Sequence, residues 1–265
     1  MSFTKRILTA LLATSLLSPA QEAGNADNKN AKPELPQFVV DIRNLPDDKR
    51  KEYQDLFVRC DQLFKQRRIF ECLENLYKLH KIYKGNPSTT NLQGACYVEF
   101  RNFDKARLAF EKTLAIQPDN FNVRFNIAEI EFVTQNWGKA LELLTALDKE
   151  SEDEGSKHAN MNPLIKFKMI LCMLKIDNVD GAQKMIAATD FLDDSLLHYY
   201  GTAALLYHND QGREAEVWLA RGGRIFRDPG RIAPWQDTLI EFGYIKSFYG
   251  GDLEVEQNNP AGADE

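Results

Sequence analysis

Pairs of mostly small residues twelve positions apart recur along the chain, and this spacing constrains the fold more than any other feature of the sequence. The pairs are Cys60 and Cys72, Gly94 and Ala106, Ala128 and Ala140, Ile170 and Ala182, and Ala203 and Ala215. Successive pairs begin 34, 34, 42 and 33 residues apart. Two antiparallel helices joined by a short turn approach closely only where neither side chain is large. The spacing therefore predicts an all-α fold of about five helix hairpins.

Polar residues that favour turns stand midway between the members of four pairs. They are Arg101-Asn102, Gln135-Asn136, Asp177-Asn178 and residues 209–212. The step of 42 residues requires an insertion, and we place it as a loop in the polar and charged residues 148–163. An amphipathic stretch over residues 234–249 predicts a last helix that covers the end of the array.

Two consecutive units carry the residues of a known repeat at matching positions. Residues 87–120 contain Gly94, Tyr97, Ala106, Phe110 and Pro118, and the unit that begins at Phe121 contains Ile127, Ala128, Ala140 and Leu144. This pattern resembles the tetratricopeptide repeat, although Thr90 and Gln93 stand where that family has Trp and Leu. The resemblance covers roughly residues 53–227 and is weaker in the outer units. It implies an α-solenoid of about five such hairpins with a C-terminal capping helix.

In that family the first helix of each unit lines a concave groove that binds peptides or partner segments. The resemblance, applied to the fifth and twelfth positions of each unit, implies a groove formed by Phe57, Phe64, Phe125, Phe132, Phe167, Tyr200 and Tyr207. Positions seven apart fall on one helical face. Asn91 and Val98 interrupt the series in the second unit. The alternative is that these aromatic residues pack between neighbouring units as part of the core.

The four cysteines favour a structural role over a metal site. Cys60 and Cys72 occupy facing positions of one hairpin, so we predict a possible disulfide between them. Cys96 and Cys172 occupy equivalent positions in other units and are expected to be buried free thiols. The sequence contains no C-x2-C or H-x3-H spacing, and no metal or other cofactor is expected.

The first twenty residues have the three parts of a secretory signal peptide. The basic pair Lys5-Arg6 precedes an apolar run and the small-residue site that ends at Ala20. The predicted organisation is a signal peptide over residues 1–20, a flexible segment over 21–45, a repeat domain over 46–250 and a disordered tail over 251–265. Within the flexible segment, residues 38–42 are predicted as a short extended stretch. The mature protein is expected in the periplasm or outside the cell.

The charge balance limits the classes of partner. The net charge of −6 becomes −8 when the first twenty residues are removed, so nucleic acid is not an expected partner. No apolar run approaches the roughly 20 residues that a membrane-spanning helix needs. One basic cluster stands out, and its members are Arg213, Arg221, Arg224, Arg227 and Arg231. The helix dipole explains part of it, and an anionic partner or lipid surface stays open as an alternative.

The four histidines are scattered, and none accompanies a recognisable nucleophile motif, phosphate loop or metal-binding pair. We therefore predict a protein that is not an enzyme. The expected function is that of an exported scaffold or adaptor that binds a protein or peptide in its groove during cell-envelope assembly or organisation. The alternative is a helical envelope protein that binds or hydrolyses carbohydrate. The oligomeric state stays open.

Overall fold

A computed structural model describes residues 35–152, 155–193 and 195–245. These residues contain α-helices and one short 3-10 helix (Ala159–Met161), and none of them lies in a strand, so the fold class is all-α. The α-helices are α1 (Gln37–Arg43), α2 (Asp47–Lys65), α3 (Ile69–Ile82), α4 (Pro87–Glu99), α5 (Phe103–Leu114), α6 (Phe121–Val133), α7 (Trp137–Ser151), α8 (Asn162–Lys175), α9 (Val179–Ala187), α10 (Leu197–His208), α11 (Gly212–Phe226) and α12 (Pro229–Phe242).

Several parts of the predicted organisation lie outside the described residues. These are the signal peptide over residues 1–20, the flexible segment up to residue 34 and the tail over 251–265. In the part of the chain that is described, no helix combines the length and the apolar character that crossing a membrane requires.

Residues 37–43 form helix α1, where the sequence predicts a flexible segment with a short extended stretch. Two long-range contacts hold this helix in place. The ring of Phe38 is buried, and the hydroxyl of Tyr83 donates a hydrogen bond of 2.8 Å to the carboxylate of Asp41. Because burial and this hydrogen bond fix the segment, the prediction for residues 37–43 is corrected to an ordered helix.

The same turn follows α2, α4, α6, α8 and α10. In each turn one residue other than glycine has a φ between 54° and 65°, and these residues are Arg67, Arg101, Gln135, Asp177 and Asp210. Their spacings of 34, 34, 42 and 33 residues equal the steps between the small-residue pairs. The residue after each one donates its N–H to a carbonyl of the preceding helix, as Asn102 does to Tyr97 at 2.9 Å. This bond satisfies a carbonyl that a helix end would otherwise leave without a donor.

Asparagine side chains begin four of the helices. Asn86, Asn102, Asn120 and Asn178 each accept a hydrogen bond from a backbone N–H in the first turn of α4, α5, α6 and α9. Such caps satisfy one of the free N–H groups of a helix start and typically stabilise it by about 1 kcal/mol. Turn and cap together fix where one helix ends and the next begins.

All ten residues of the twelve-residue pairs are buried. Gly94 shows how little space is available, because a Cβ added to it would lie 2.4 Å from Cε1 of Phe110. Phe110 itself is fully buried in a cluster with Val98, Ala106 and Ile130, among others. The absence of a side chain at residue 94 therefore lets α4 and α5 approach.

The chain divides between Leu147 and Asp148, within α7, into two compact units. In the first unit α2 packs on α3 and α4 packs on α5, while α3 contacts α4 and α5 contacts α6. In the second unit α8 packs on α9 and α10, α10 packs on α9 and α11, and α12 contacts α8 and α11. The predicted repeat domain over residues 46–250 is thus split, up to residue 245, between two units.

Two boundaries differ from those that the sequence predicts. The insertion is shorter than residues 148–163, because α7 continues to Ser151 and α8 begins at Asn162, whose side-chain amide donates to Asp148 Oδ1 at 2.8 Å and Ser151 Oγ at 3.1 Å. The last helix begins at Pro229 rather than at residue 234. The side chain of Asp228 accepts from the N–H of Gly230 at 2.9 Å and caps this earlier start.

Replacing Gly94 with alanine tests the close approach of α4 and α5. We expect Gly94→Ala to lower the free energy of unfolding by about 1–3 kcal/mol, because the new methyl group collides with a fully buried ring. Gly138→Ala is the matched control, since a Cβ there meets no atom within 4 Å. It should raise the stability by about 0.5 kcal/mol. Urea unfolding followed by circular dichroism measures both, and equal stabilities of the two variants would contradict the steric argument.

Candidate functional site

Five of the seven predicted groove residues lie in the core. The side chains of Phe64, Phe125, Phe132, Phe167 and Tyr200 are at most 2 % exposed. Phe57 and Tyr207 are half-buried. Burial of the five supports the alternative that they pack as core residues, because a buried ring offers no surface to a partner.

In the first unit these rings are held by neighbouring helices. Phe64 belongs to a cluster of buried residues that also contains Leu76 and Leu92, so it packs between α2, α3 and α4. The ring of Phe132 meets that of Trp137 edge to face, with 5.3 Å between the ring centroids. Both contacts belong to the packing of helices within the unit.

In the second unit the C-terminal helix covers the predicted groove residues. The ring of Trp235 lies 5.2 Å from that of Phe167 and 5.6 Å from that of Tyr200. Beyond the end of α12, Tyr244 stacks on Tyr207 with 5.3 Å between the centroids. Burial raises the pKa of both Tyr200 and Tyr244, the latter to about 12. The chain itself therefore occupies this face of α8 and α10.

The first helices of the first unit carry a second group of residues, which we call the polar face. It consists of Phe57 and Asp61 on α2, Asn91 on α4 and Asn126 on α6. The amide nitrogen of Asn126 donates to the amide oxygen of Asn91 at 3.5 Å. Phe57 and Asp61 are four residues apart, so they share one side of α2.

The polar face presents both hydrogen-bond donors and hydrogen-bond acceptors. Among the described residues, nothing hydrogen-bonds to Asn91 Nδ2 or Asn126 Oδ1. Asp61 Oδ2 pairs with the ammonium group of Lys65 at 2.7 Å and Asp61 Oδ1 is buried, so this carboxylate offers a partner no free oxygen. A peptide bond has one donor and one acceptor, so this set matches a peptide backbone. In the sequence, Asn91 stands out only because it interrupts the aromatic series, and nothing there predicts its hydrogen bond with Asn126.

The thiols of the first unit form a buried cluster without a disulfide. Cys72 Sγ lies 3.3 Å from the carbonyl oxygen of Cys60, and Cys60 Sγ lies 3.9 Å from that of Cys72. Each sulfur thus points at the backbone of the facing residue, and the thiol of Cys96 donates to Cys72 Sγ at 3.6 Å. No disulfide joins any of the four cysteines. The predicted Cys60–Cys72 disulfide is accordingly corrected to a contact between two free thiols.

The environment of Cys60 and Cys72 keeps these two thiols protonated. The hydrogen bond with Cys72 and burial raise the pKa of Cys60 far above its usual value. At Cys72 the hydrogen bond with Cys60 lowers the pKa, but the hydrogen bond from Cys96 and burial outweigh it, so the pKa of Cys72 is also raised. The thiolate is the reactive form of cysteine, so these thiols should react slowly.

The histidines that the sequence leaves without a role make local contacts. His80 Nε2 lies 3.1 Å from Thr89 Oγ1, and burial lowers the pKa of His80. His198 Nδ1 lies 3.0 Å from Thr189 Oγ1. Within the described ranges, no group of three or more His, Cys, Asp or Glu side chains could hold a metal ion.

Comparison with models of known protein families, with curated proteins and with solved structures finds no match to this chain. The resemblance to the tetratricopeptide repeat therefore rests on the residues quoted above.

Truncating the buried rings should destabilise the first unit. We expect Phe125→Ala and Phe132→Ala each to lower the free energy of unfolding by about 3–5 kcal/mol, because each leaves a cavity in a packed core. Phe70→Ala is the control, since Phe70 is 67 % exposed and its loss should change stability by at most about 0.5 kcal/mol. Denaturant unfolding measures the three variants. Native-like stability of both core variants would contradict the burial of these rings and indicate that they lie at the surface.

Alkylation tests the state of the cysteines. In the folded protein under non-reducing conditions, iodoacetamide should label the four thiols slowly because all four are buried. After unfolding in denaturant without a reductant, mass spectrometry should find four labelled cysteines. Two labels instead of four would show that a disulfide forms in the protein.

Proposed function

We propose that this chain is an exported scaffold or adaptor protein built from five tetratricopeptide-like hairpins arranged as an α-solenoid. Support for the hairpins comes from the five turns of one geometry and from the buried small residues that flank them. Support for the family comes from the two consecutive units that contain Gly94 and Ala128 at matching positions. The resemblance places partner binding on the first helices.

Within that assignment, we propose that the partner binds the polar face of the first unit. The observation that carries this proposal is the contact between Asn91 and Asn126 across α4 and α6. The ring of Phe57, on the first helix of the preceding hairpin, is half-buried and so keeps an exposed part. Amide groups can bind a backbone of any sequence, while an aromatic ring buries an apolar side chain. We therefore propose a partner segment in an extended conformation.

Packing in the second unit supports the proposal that a partner binds only the first unit. Its equivalent residues Phe167, Tyr200 and Tyr207 already contact Trp235 or Tyr244. An apolar face that the chain fills itself has no free area for a partner. Of the seven aromatic residues predicted to bind a partner, we retain Phe57 for this function and assign the buried ones to packing.

Export is supported by the tripartite pattern of residues 1–20. We propose the periplasm or the cell exterior as the location and cell-envelope assembly as the process. The alternative function, binding or hydrolysis of an envelope carbohydrate, differs in the class of ligand that the protein should retain.

Two substitutions on the polar face test partner binding. Co-purification with the processed chain as bait should recover a stoichiometric protein partner. We expect Phe57→Ala to weaken that complex about 30-fold, because an aromatic anchor typically contributes about 2 kcal/mol. Asn91→Ala should weaken it about fivefold through the loss of hydrogen bonds. Phe70→Ala, which removes the same ring type from α3, is the matched control and should leave the affinity unchanged.

The outcomes separate the two functions. Equal loss of binding in Phe57→Ala and Phe70→Ala would contradict a site on the polar face. Recovery of glycan without protein would support the alternative function. Circular dichroism of each variant distinguishes a lost contact from a lost fold, and Phe57 should tolerate truncation because it is only half-buried.

A further inference from the structure

The exposed side of α11 carries a row of arginines that the proposed function leaves unused. At about 100° per residue, Arg213, Val217 and Arg221 all lie within about 60° of Arg224 around the helix axis. All four are exposed. Arg227 follows directly after the helix and is exposed as well. We call these five residues the arginine face.

The four arginines of this face form no ion pairs with carboxylates in the part of the chain that is described. Among the described residues, no Asp or Glu lies within ion-pair distance of Arg213, Arg221, Arg224 or Arg227. Arg221 instead stacks over the ring of Trp218 at 4.8 Å, and Arg227 donates to the carbonyl of Arg224 at 3.0 Å.

Two arginines of the first unit do form ion pairs with carboxylates. There Arg67 binds Glu99 at 2.8 Å, and Arg107 binds Glu131 at 2.7 Å. In a chain with a net charge of −6, carboxylates are abundant. Exposed arginines that form no ion pair keep their positive charge available to a partner.

The helix dipole does not account for all of these charges. It favours cations in the last turn of a helix, where Arg224 lies, and disfavours them in the first turn. Arg213 lies in the first turn of α11, and Arg231 lies in the first turn of α12. Two arginines of the cluster therefore stand at the end of a helix where their charge is unfavourable.

Exposed apolar side chains share this side of α11 with the arginines. Val217 lies about 20° from Arg224 around the helix axis, and Ile225 lies about 40° from Arg221. Both are more than half exposed.

Basic and apolar side chains on one exposed surface match the interfacial layer of a bilayer, where phosphates and acyl chains lie close together. We propose that this surface binds the headgroup layer of a membrane that contains anionic phospholipid. The arginines contact the phosphates, while Val217 and Ile225 enter the boundary with the acyl chains. Glu214 and Glu216, which flank the arginines on α11, and Asp228, which follows Arg227, oppose binding.

Co-sedimentation of the full chain with lipid vesicles tests the proposal. The protein should sediment with vesicles of phosphatidylcholine and phosphatidylglycerol, should not sediment with vesicles of phosphatidylcholine alone, and should dissociate as salt is raised. The variant Arg221→Gln/Arg224→Gln/Arg227→Gln should bind about 100-fold more weakly, since each arginine near an anionic surface strengthens binding about fivefold. The variant Ile225→Ser should bind more weakly with an unchanged salt dependence.

The matched control is Lys51→Gln/Lys78→Gln/Lys81→Gln, which removes the same charge from exposed positions of the first unit. It should bind vesicles as the wild type does. Equal loss of binding in the two triple variants overturns the proposal, as does binding that ignores phosphatidylglycerol. If the protein binds soluble polyglutamate more tightly than vesicles, the proposal is also overturned. The arginine face is then assigned to an acidic protein partner. Circular dichroism confirms that each variant is folded.

Discussion

The rest of the structure depends on the close approach of paired helices at residues that have little or no side chain. At Gly94 the ring of Phe110 fills the space that a Cβ would need. Because bulk is excluded where the two helices of a hairpin cross, the large side chains lie in the layers between neighbouring helices. This explains why Phe64 and Phe110 are core residues although both stand on helices with an exposed side.

The fold class follows from the sequence because its determinants are local. The steps between small residues reappear as the steps between the turns, and each turn needs only a polar pair such as Arg101-Asn102. Helix α1 has no such local determinant. Its seven residues are shorter than an isolated helix requires, and its order comes from Phe38 and from the hydrogen bond between Tyr83 and Asp41, which are far apart in sequence.

The candidate site was less predictable for the same reason. A spacing of seven residues places two positions of a unit on one helical face, as it does for the positions that begin with Phe125 and Phe167. It does not specify what covers that face. The ring of Trp235 covers that of Phe167. The sequence pattern around Trp235 predicts a capping helix but not this contact. Likewise, facing positions bring Cys60 and Cys72 together, but side-chain rotamers decide that each sulfur meets a carbonyl rather than the other sulfur.

The positive φ angles at the turns have a consequence for engineering. A residue with a Cβ in the left-handed region is strained by about 1 kcal/mol, and glycine relieves that strain at the expense of a more flexible unfolded chain. At Arg67 the exchange would also remove the ion pair with Glu99. The four remaining positions, Arg101, Gln135, Asp177 and Asp210, lie in separate turns, so their effects should add. Glycine substitutions at these four turns should therefore raise the stability of the protein without changing either of the two helices that each turn joins.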